Sequence, residues 1–296
     1  MKVKQLFFSS ILIICSSWWY LATPVQASNQ DHIDFEVAPM IPAEQADQTE
    51  RFFDLDLTPG TTKTIQTKIH NNSQHAITVH STLTNSQNQL GGGIVFHNNL
   101  TSIIRNQHQA LTKLAQVDKV DQTIRLQGNQ TKTVQATIQM PSTKLSGLVY
   151  GAWHFIEYGA DSEKQAANVT GNYAYEIGVV LRGQPYRVYP ELKYQTTTPI
   201  LAGGYPALGI KINNTMPMVI KNANIKAVVQ RKGVFQEKRT FQNNQIEVAP
   251  NSQLTIPVSW GYDRIKPGHY TIDVVIKGQN LWNQLPMTWH FKKNIL

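Results

Sequence analysis

The run from Ala249 to Tyr270 constrains this chain more than any other. Pro250-Asn251-Ser252 stops one segment, because proline fixes φ and the polar side chains hydrogen-bond the backbone of a turn. Leu254, Ile256 and Val258 then fall on one face of an extended segment, since side chains alternate along a strand. Pro267-Gly268 reverses the chain, and Tyr270, Ile272, Val274 and Ile276 repeat the alternation. Turn, strand, turn, strand within 22 residues is the grammar of a β-sandwich. It recurs over nearly the whole chain and points to a protein that holds something rather than one that does chemistry.

The first residues read as an address. Lys2 and Lys4 form a short positive region, Phe7 to Ala22 carries no charge, and Val25-Gln26-Ala27 fits a cleavage site. Residues 1–27 are therefore expected to be a cleaved secretory signal peptide. The apolar run is short for a spanning helix, and Ile13-Ile14 before Cys15 does not fit a lipoprotein signal. Cys15 is the single cysteine, so the mature chain has no disulfide and no thiol chemistry. An exported protein without cysteine fits a Gram-positive surface better than an animal secreted domain.

Charge divides the rest. Ser28 to Thr170 holds ten Lys and Arg against thirteen Asp and Glu; Gly171 to Leu296 holds fifteen against six. The second half is thus strongly basic. Phosphate-rich wall polymers, acidic proteins or anionic lipid heads suit it, and a basic surface that only aids solubility is the plainer account. Export argues against nucleic acid, despite the net charge of +8.

The pattern predicts an all-β chain of two tandem immunoglobulin-like sandwiches, residues 28–183 and 184–296, with one short helix in the first. In the first, Phe52 to Leu57, Ile65 to Ile69, Ala76 to Leu83, Gln122 to Leu126, Thr131 to Met140 and Leu148 to Phe155 read as strands. Asp54 and Asp56 are placed on the wet side, opposite Phe53 and Leu55. Gly91-Gly92-Gly93 reads as a flexible joint. Ala110, Leu111, Leu114 and Val117 share a face of a helix spanning Gln107 to Gln116. Asp161 to Gln165 reads as a loop, and Asn172 to Arg182 as a buried strand that either closes the first domain or opens the second. Seven strands are predicted beyond Pro185, starting with Arg187 to Tyr194 and ending with Trp282 to Lys292. Spacing reveals no tandem repeat.

Phe35-Glu36-Val37-Ala38-Pro39, Phe53-Asp54-Leu55 and Pro59-Gly60 resemble the opening of the WxL-interacting proteins of Gram-positive bacteria. Ser146-Gly147-Leu148-Val149-Tyr150-Gly151, Asn172 to Gly178, Ala249-Pro250-Asn251-Ser252 and Lys266-Pro267-Gly268-His269-Tyr270 continue the likeness in order. The resemblance implies an N-terminal domain associated with peptidoglycan and a C-terminal one associated with host ligands and WxL proteins. Family members commonly end in a membrane helix with a basic tail. Here the last strand runs into Phe291 to Leu296, and no C-terminal membrane anchor is expected. Trp19-Tyr20-Leu21 spells W-x-L but lies in the signal peptide.

Catalytic signals are weak. His70, His75 and His80 lack metal-binding spacing, no G-x-S-x-G element occurs, and His154 sits in a strand pattern. No catalytic residue, metal or cofactor is expected. Trp153, Trp260, Trp282 and Trp289 read as core. The stretch Asn85 to Asn99 is the candidate ligand loop, with Asn85, Asn88, Asn98 and Asn99 as binding residues. Lys221, Lys226, Arg231, Lys232, Lys238 and Arg239 form the densest basic group, for an anionic partner; a solvated hairpin is the bland alternative. The expected function is a non-catalytic cell-surface adaptor. It would bridge peptidoglycan or an anionic wall polymer to a WxL-domain protein or a host matrix protein. A chaperone-like module that assists surface assembly and a wall-modifying hydrolase are the other readings.

Overall fold

Alternating apolar residues fix each strand, and turns at Gly, Pro and Asn separate them. In β15 (Ser252–Ser259) every second residue from Ser252 to Val258 is buried and the ones between are half-buried or exposed. In β16 (Tyr270–Asn280) Tyr270, Ile272, Val274 and Ile276 are buried in the same way. The computed structural model describes residues 34–97, 109–157, 174–233 and 237–295, and among them it contains seventeen strands and one short α-helix. The signal-peptide residues and the predicted loop at Asp161 to Gln165 lie outside the described residues.

The first sandwich has two sheets. One is ordered β1 (Phe35–Met40), β3 (Thr62–Asn71), β8 (Thr131–Gln139), β6 (Ala115–Val117). The other runs β2 (Phe53–Asp56), β10 (Ala174–Arg182), β9 (Leu148–Glu157), β4 (Ile77–Asn88), β5 (Ile94–His97), with β7 (Thr123–Leu126) also paired to β4. Phe53, Leu55, Ile65, Ile69, Val134, Trp153 and Phe155 fill the space between them, each essentially inaccessible. The indole N–H of Trp153 donates to Ser81 Oγ at 2.7 Å, so its one polar atom is satisfied in the core. The second sandwich pairs the sheet β11 (Leu192–Ala202), β12 (Tyr205–Asn214), β15 with the sheet β14 (Lys238–Val248), β13 (Ile220–Arg231), β16, β17 (Pro286–Ile295). Pro39, Pro199 and Pro257 all sit on edge strands, where a missing N–H costs no ladder bond.

The two sandwiches share one plan that spacing conceals. β1-β3-β8 corresponds to β11-β12-β15, and β7-β4-β9-β10 to β14-β13-β16-β17, in order and direction. The correspondence extends to a buried amide. Asn71, the last residue of β3, donates to the carbonyls of His75 (2.8 Å) and Gln127 (2.9 Å) and accepts from the Ser73 N–H. Asn214, the last residue of β12, donates to the carbonyls of Met218 (2.7 Å) and Ala249 (3.0 Å) and accepts from the Met216 N–H. Each asparagine ties the corner after its strand to the turn that opens β8 or β15. Both are fully buried, so their bonds form in a low-dielectric setting.

The expected short helix is present but shorter than its predicted span, and the glycine triplet departs from the expectation, each for a physical reason. The helix is a single turn, α1 (Leu111–Leu114), and the chain then extends into β6, which pairs with β8. A helix of one turn gains little by itself, and a sheet ladder to Ala136 and Ile138 wins over its continuation. The glycine triplet is not a joint. It forms the tip of the β4–β5 hairpin, with φ of +83°, +105° and +103°, wedged into the seam between β14 and β15. Gly91 N–H donates to the Thr255 carbonyl (2.8 Å) and Gly93 N–H to the Glu247 carbonyl (3.1 Å). A Cβ on Gly92 would lie 2.0 Å from Ile246 Cδ1, so that side chain would have to shift, and the φ of +105° itself favours glycine.

The described residues all fall within one compact unit. Besides the hairpin, Leu148, Val180 and Met218 form a buried apolar cluster between the sandwiches, and Leu148 N–H donates to the Pro217 carbonyl at 2.6 Å.

Asn71→Ala and Asn214→Ala should each lower the unfolding free energy by about 2–3 kcal/mol, because buried carbonyls lose their donor; urea titration against the parent protein checks this. Gly147 has φ +66°, and a Cβ there would meet the Pro217 carbonyl oxygen at 2.2 Å, backbone that cannot swing aside. Gly147→Ala should cost more than about 1 kcal/mol and loosen the junction between the sandwiches, read as a lower melting temperature and faster proteolysis between residues 183 and 191.

Candidate functional site

A cleft of about 660 Å³ opens where the two sandwiches meet. β2, β9 and β10 supply one wall; β13, β14 and the turn after β16 supply the other. Four aromatic side chains face it: Phe52, Tyr150, Tyr186 and Trp282. Trp282 is fixed by its indole N–H, which donates to the Val188 carbonyl at 3.0 Å, and by an edge contact with Tyr189 at 5.0 Å. Burial pushes the Tyr150 phenol up to about 12, with the carboxylates of Glu247 and Asp54 adding to the effect. Tyr150 is therefore a neutral hydrogen-bonding group at any ordinary pH.

Charge in the cleft is paired across strands. Arg182 on β10 grips Asp54 on β2 with two parallel bonds, Nε to Oδ1 at 2.8 Å and Nη2 to Oδ2 at 2.6 Å. This bidentate geometry is the strong form of an ion pair, and it raises the guanidinium's pKa further. The guanidinium also lies 5.1 Å from the centre of the Tyr186 ring, whose other neighbour is Arg187 at 5.5 Å. On the second sandwich Lys221 Nζ lies 2.8 Å from a Glu247 carboxylate oxygen. Asp47 and Glu50 line the cleft near the first pair. The hydroxyl and N–H of Thr49 both donate to Asp47, which lowers its pKa.

Asp54 is thus not on a wet face, as its alternation with Phe53 and Leu55 predicts. It is 8% exposed: Arg182 of β10 bonds both carboxylate oxygens, and the segment around Gln45 and Ala46 bonds its backbone. Asp56, two residues on, is exposed.

Asp54 and Glu247 are each engaged by a cation, Arg182 and Lys221. Among the described residues no cluster of three or more His, Cys, Asp and Glu could bind a metal ion. His70 and His80 bond to Thr131 and Thr123 across their sheets, and His75 pairs with Asp34. Aromatic faces beside fixed hydrogen-bonding groups suit a sugar ring or a peptide.

The sequence-derived candidates scatter. Asn85 is buried, and its amide binds the Thr112 hydroxyl (2.9 Å) and N–H (3.1 Å), anchoring α1 to β4. Asn88 bonds across the domain junction, accepting from Ala249 N–H (2.8 Å) and donating to Ser252 Oγ (2.7 Å). Asn98 and Asn99 lie outside the described residues. Arg231, Lys232, Lys238 and Arg239 gather at the far end of the second sandwich, around the β13–β14 turn. There Arg231 donates to the Pro267 carbonyl, and Arg239 pairs with Asp263 at 2.6 Å. Lys226 projects from mid-strand, exposed. Lys221 lies in the cleft, ten strand residues or roughly 33 Å from Arg231, so these six do not act as one patch. Sequence reasoning missed Arg182, Tyr186 and the cleft role of Trp282. Arg182 and Asp54 are 128 residues apart, and no local pattern links them.

Among solved structures the chain is similar to several chaperones. It is 12% identical to the YadV chaperone over 88% of this chain and 100% of the other, with a TM-score of 0.35. For the E. coli chaperone DraB the figures are 13% identity, 88% and 95% coverage, and 0.32. For the Pseudomonas aeruginosa CupB2 chaperone they are 11%, 77% and 91%, and 0.30. No curated protein matches the chain. Family models match it in two adjoining stretches: the peptidoglycan binding domain of WxL Interacting Protein over residues 35–157, and its host binding domain over residues 164–296. The second match includes β10, which the structure places in a sheet of the first sandwich, hydrogen-bonded to β9 and β2. With both domain types present in this order over most of its length, the chain belongs to the WxL-interacting protein family.

Proposed function

We propose that this chain is a non-catalytic adaptor on the surface of a Gram-positive bacterium. It holds peptidoglycan through the junction side of the first sandwich, and a WxL protein or host ligand through the second. Export of residues 28–296 after cleavage at Ala27, and a domain division at 183/184, belong to the same proposal. The observation that carries it is the locked junction: two binding-type domains joined by a glycine hairpin tip, an apolar cluster and a cleft between them. Rigid coupling lets force or position pass from one ligand to the other, which a bridge needs and a hydrolase does not.

Within this reading the cleft replaces Asn85 and Asn88 as the ligand contact, since both of those amides are spent on the protein itself. Trp282 offers a ring face for a sugar; Asp47 and Glu50 offer carboxylates for amines and hydroxyls. Arg231, Lys232, Lys238 and Arg239 remain the proposed contact for an anionic partner, at the end of the second sandwich away from the junction.

Purified chain from Ser28 onward should be retained on sacculi and should release no muropeptides. Trp282→Ala should weaken retention by about 1–2 kcal/mol, roughly tenfold in affinity, with its melting curve recorded alongside. Unchanged retention in the variant removes the cleft from the proposal, and muropeptide release ends the non-catalytic reading. Lys232→Glu with Lys238→Glu should leave sacculus retention intact but weaken capture of an acidic protein such as a polyglutamate-rich bait, with a steep loss of capture in high salt.

A further inference from the structure

The shared plan of the two sandwiches exposes one difference. In the first, the outer edge of β10 is covered by β2, which runs parallel to it. Phe53 and Leu55 of β2 drop into the seam between the sheets and are inaccessible, and beneath them Ile177, Val179 and Leu181 of β10 are nearly so. Asp54, on the outward side, meets Arg182. In the second sandwich β17 takes the place of β10, and among the described residues it pairs with β16 alone. Its inward side chains Trp289, Phe291 and Ile295 pack on the core yet stay half-exposed. Across the same seam stands Tyr194 of β11, also half-buried, with Lys293 Nζ 5.4 Å from its ring centre.

We infer that the open edge of β17 accepts an extended segment of a partner protein, added in parallel as β2 is added to β10. The segment alternates apolar and acidic residues. The inference rests on the adaptor reading above and states how the second sandwich grips its protein partner. Unpaired strand edges are templates for such pairing. Inward apolar residues of the guest would lie on Phe291 and Ile295 beside Tyr194, completing a seam that β2 completes in the first sandwich. Outward residues would face Lys292 and, one strand further in, Lys277, with Asp273 already engaged by His290 at 2.8 Å. Lys292, exposed on the outward side of the edge, disfavours a guest with basic outward residues and leaves an acidic one favoured. The chain's own Phe53-Asp54-Leu55-Asp56 shows the pattern that fits.

The test uses the chain from Ser28 onward and a synthetic peptide copying residues 51–57. Amide hydrogen exchange is measured with and without the peptide, and affinity by fluorescence anisotropy. The expected result is slowed exchange along β17. A peptide with both aspartates replaced by lysine should bind at least roughly tenfold more weakly, as should the exposed-site variant Lys292→Glu. Unaltered melting of that variant shows its fold is intact. No protection of β17, protection confined to β10 or another edge, or equal binding by the charge-reversed pairs overturns the inference. Sacculus retention of the same preparations reports separately on the adaptor reading.

Discussion

A β-sandwich leaves a seam along each side, where the edge strands of its two sheets face one another without pairing. Apolar side chains reach water there, and unpaired backbone invites other chains. The particular features of this chain are its ways of closing those seams. In the first sandwich β2 seals one side with Phe53 and Leu55, and α1 with β6 seals the other through Leu111 and Leu114. In the second, the seam between β14 and β15 is filled from outside by the glycine tip of the β4–β5 hairpin.

That borrowed closure makes two domains one body. Gly91, Gly92 and Gly93 reach between Thr255 and Glu247 because they have no side chains to exclude, and Asn88 stitches the base of the hairpin to Ala249 and Ser252. The cleft exists because this docking holds the sandwiches at a fixed approach. Its walls then bring Asp54, Arg182, Tyr186, Lys221, Glu247 and Trp282 together from five segments of chain. A hinge at this junction would dissolve the cleft, whereas a latch preserves it.

The candidate site was far less legible than the fold. Alternation in Leu254, Ile256 and Val258 or in Tyr270, Ile272 and Val274 places each residue on its strand face without outside information. Asp54 shows where that logic stops: alternation puts it opposite Phe53 correctly, but only the pairing of β2 with β10 brings Arg182 onto the opposite face. Trp282 reads as core from its strand context, and its position beside the cleft depends on a contact with Val188. The glycine triplet reads as freedom when seen locally. In the structure the same lack of side chains permits close packing. Asn85 and Asn88 look like ligand groups because they are polar in a polar stretch, and their actual partners are distant in sequence.

By itself the sequence determined the all-β class, the positions of most strands and the family, because these follow from local alternation, turn chemistry and ordered motifs; β11 and β14 lie several residues beyond where it placed them. The tertiary structure alone decided the internal duplication, the hairpin lock, the cleft and the edge of β17 that no described strand pairs. Each of those depends on which surfaces meet across more than a hundred residues, and burial and pairing at such range leave no period in the chain.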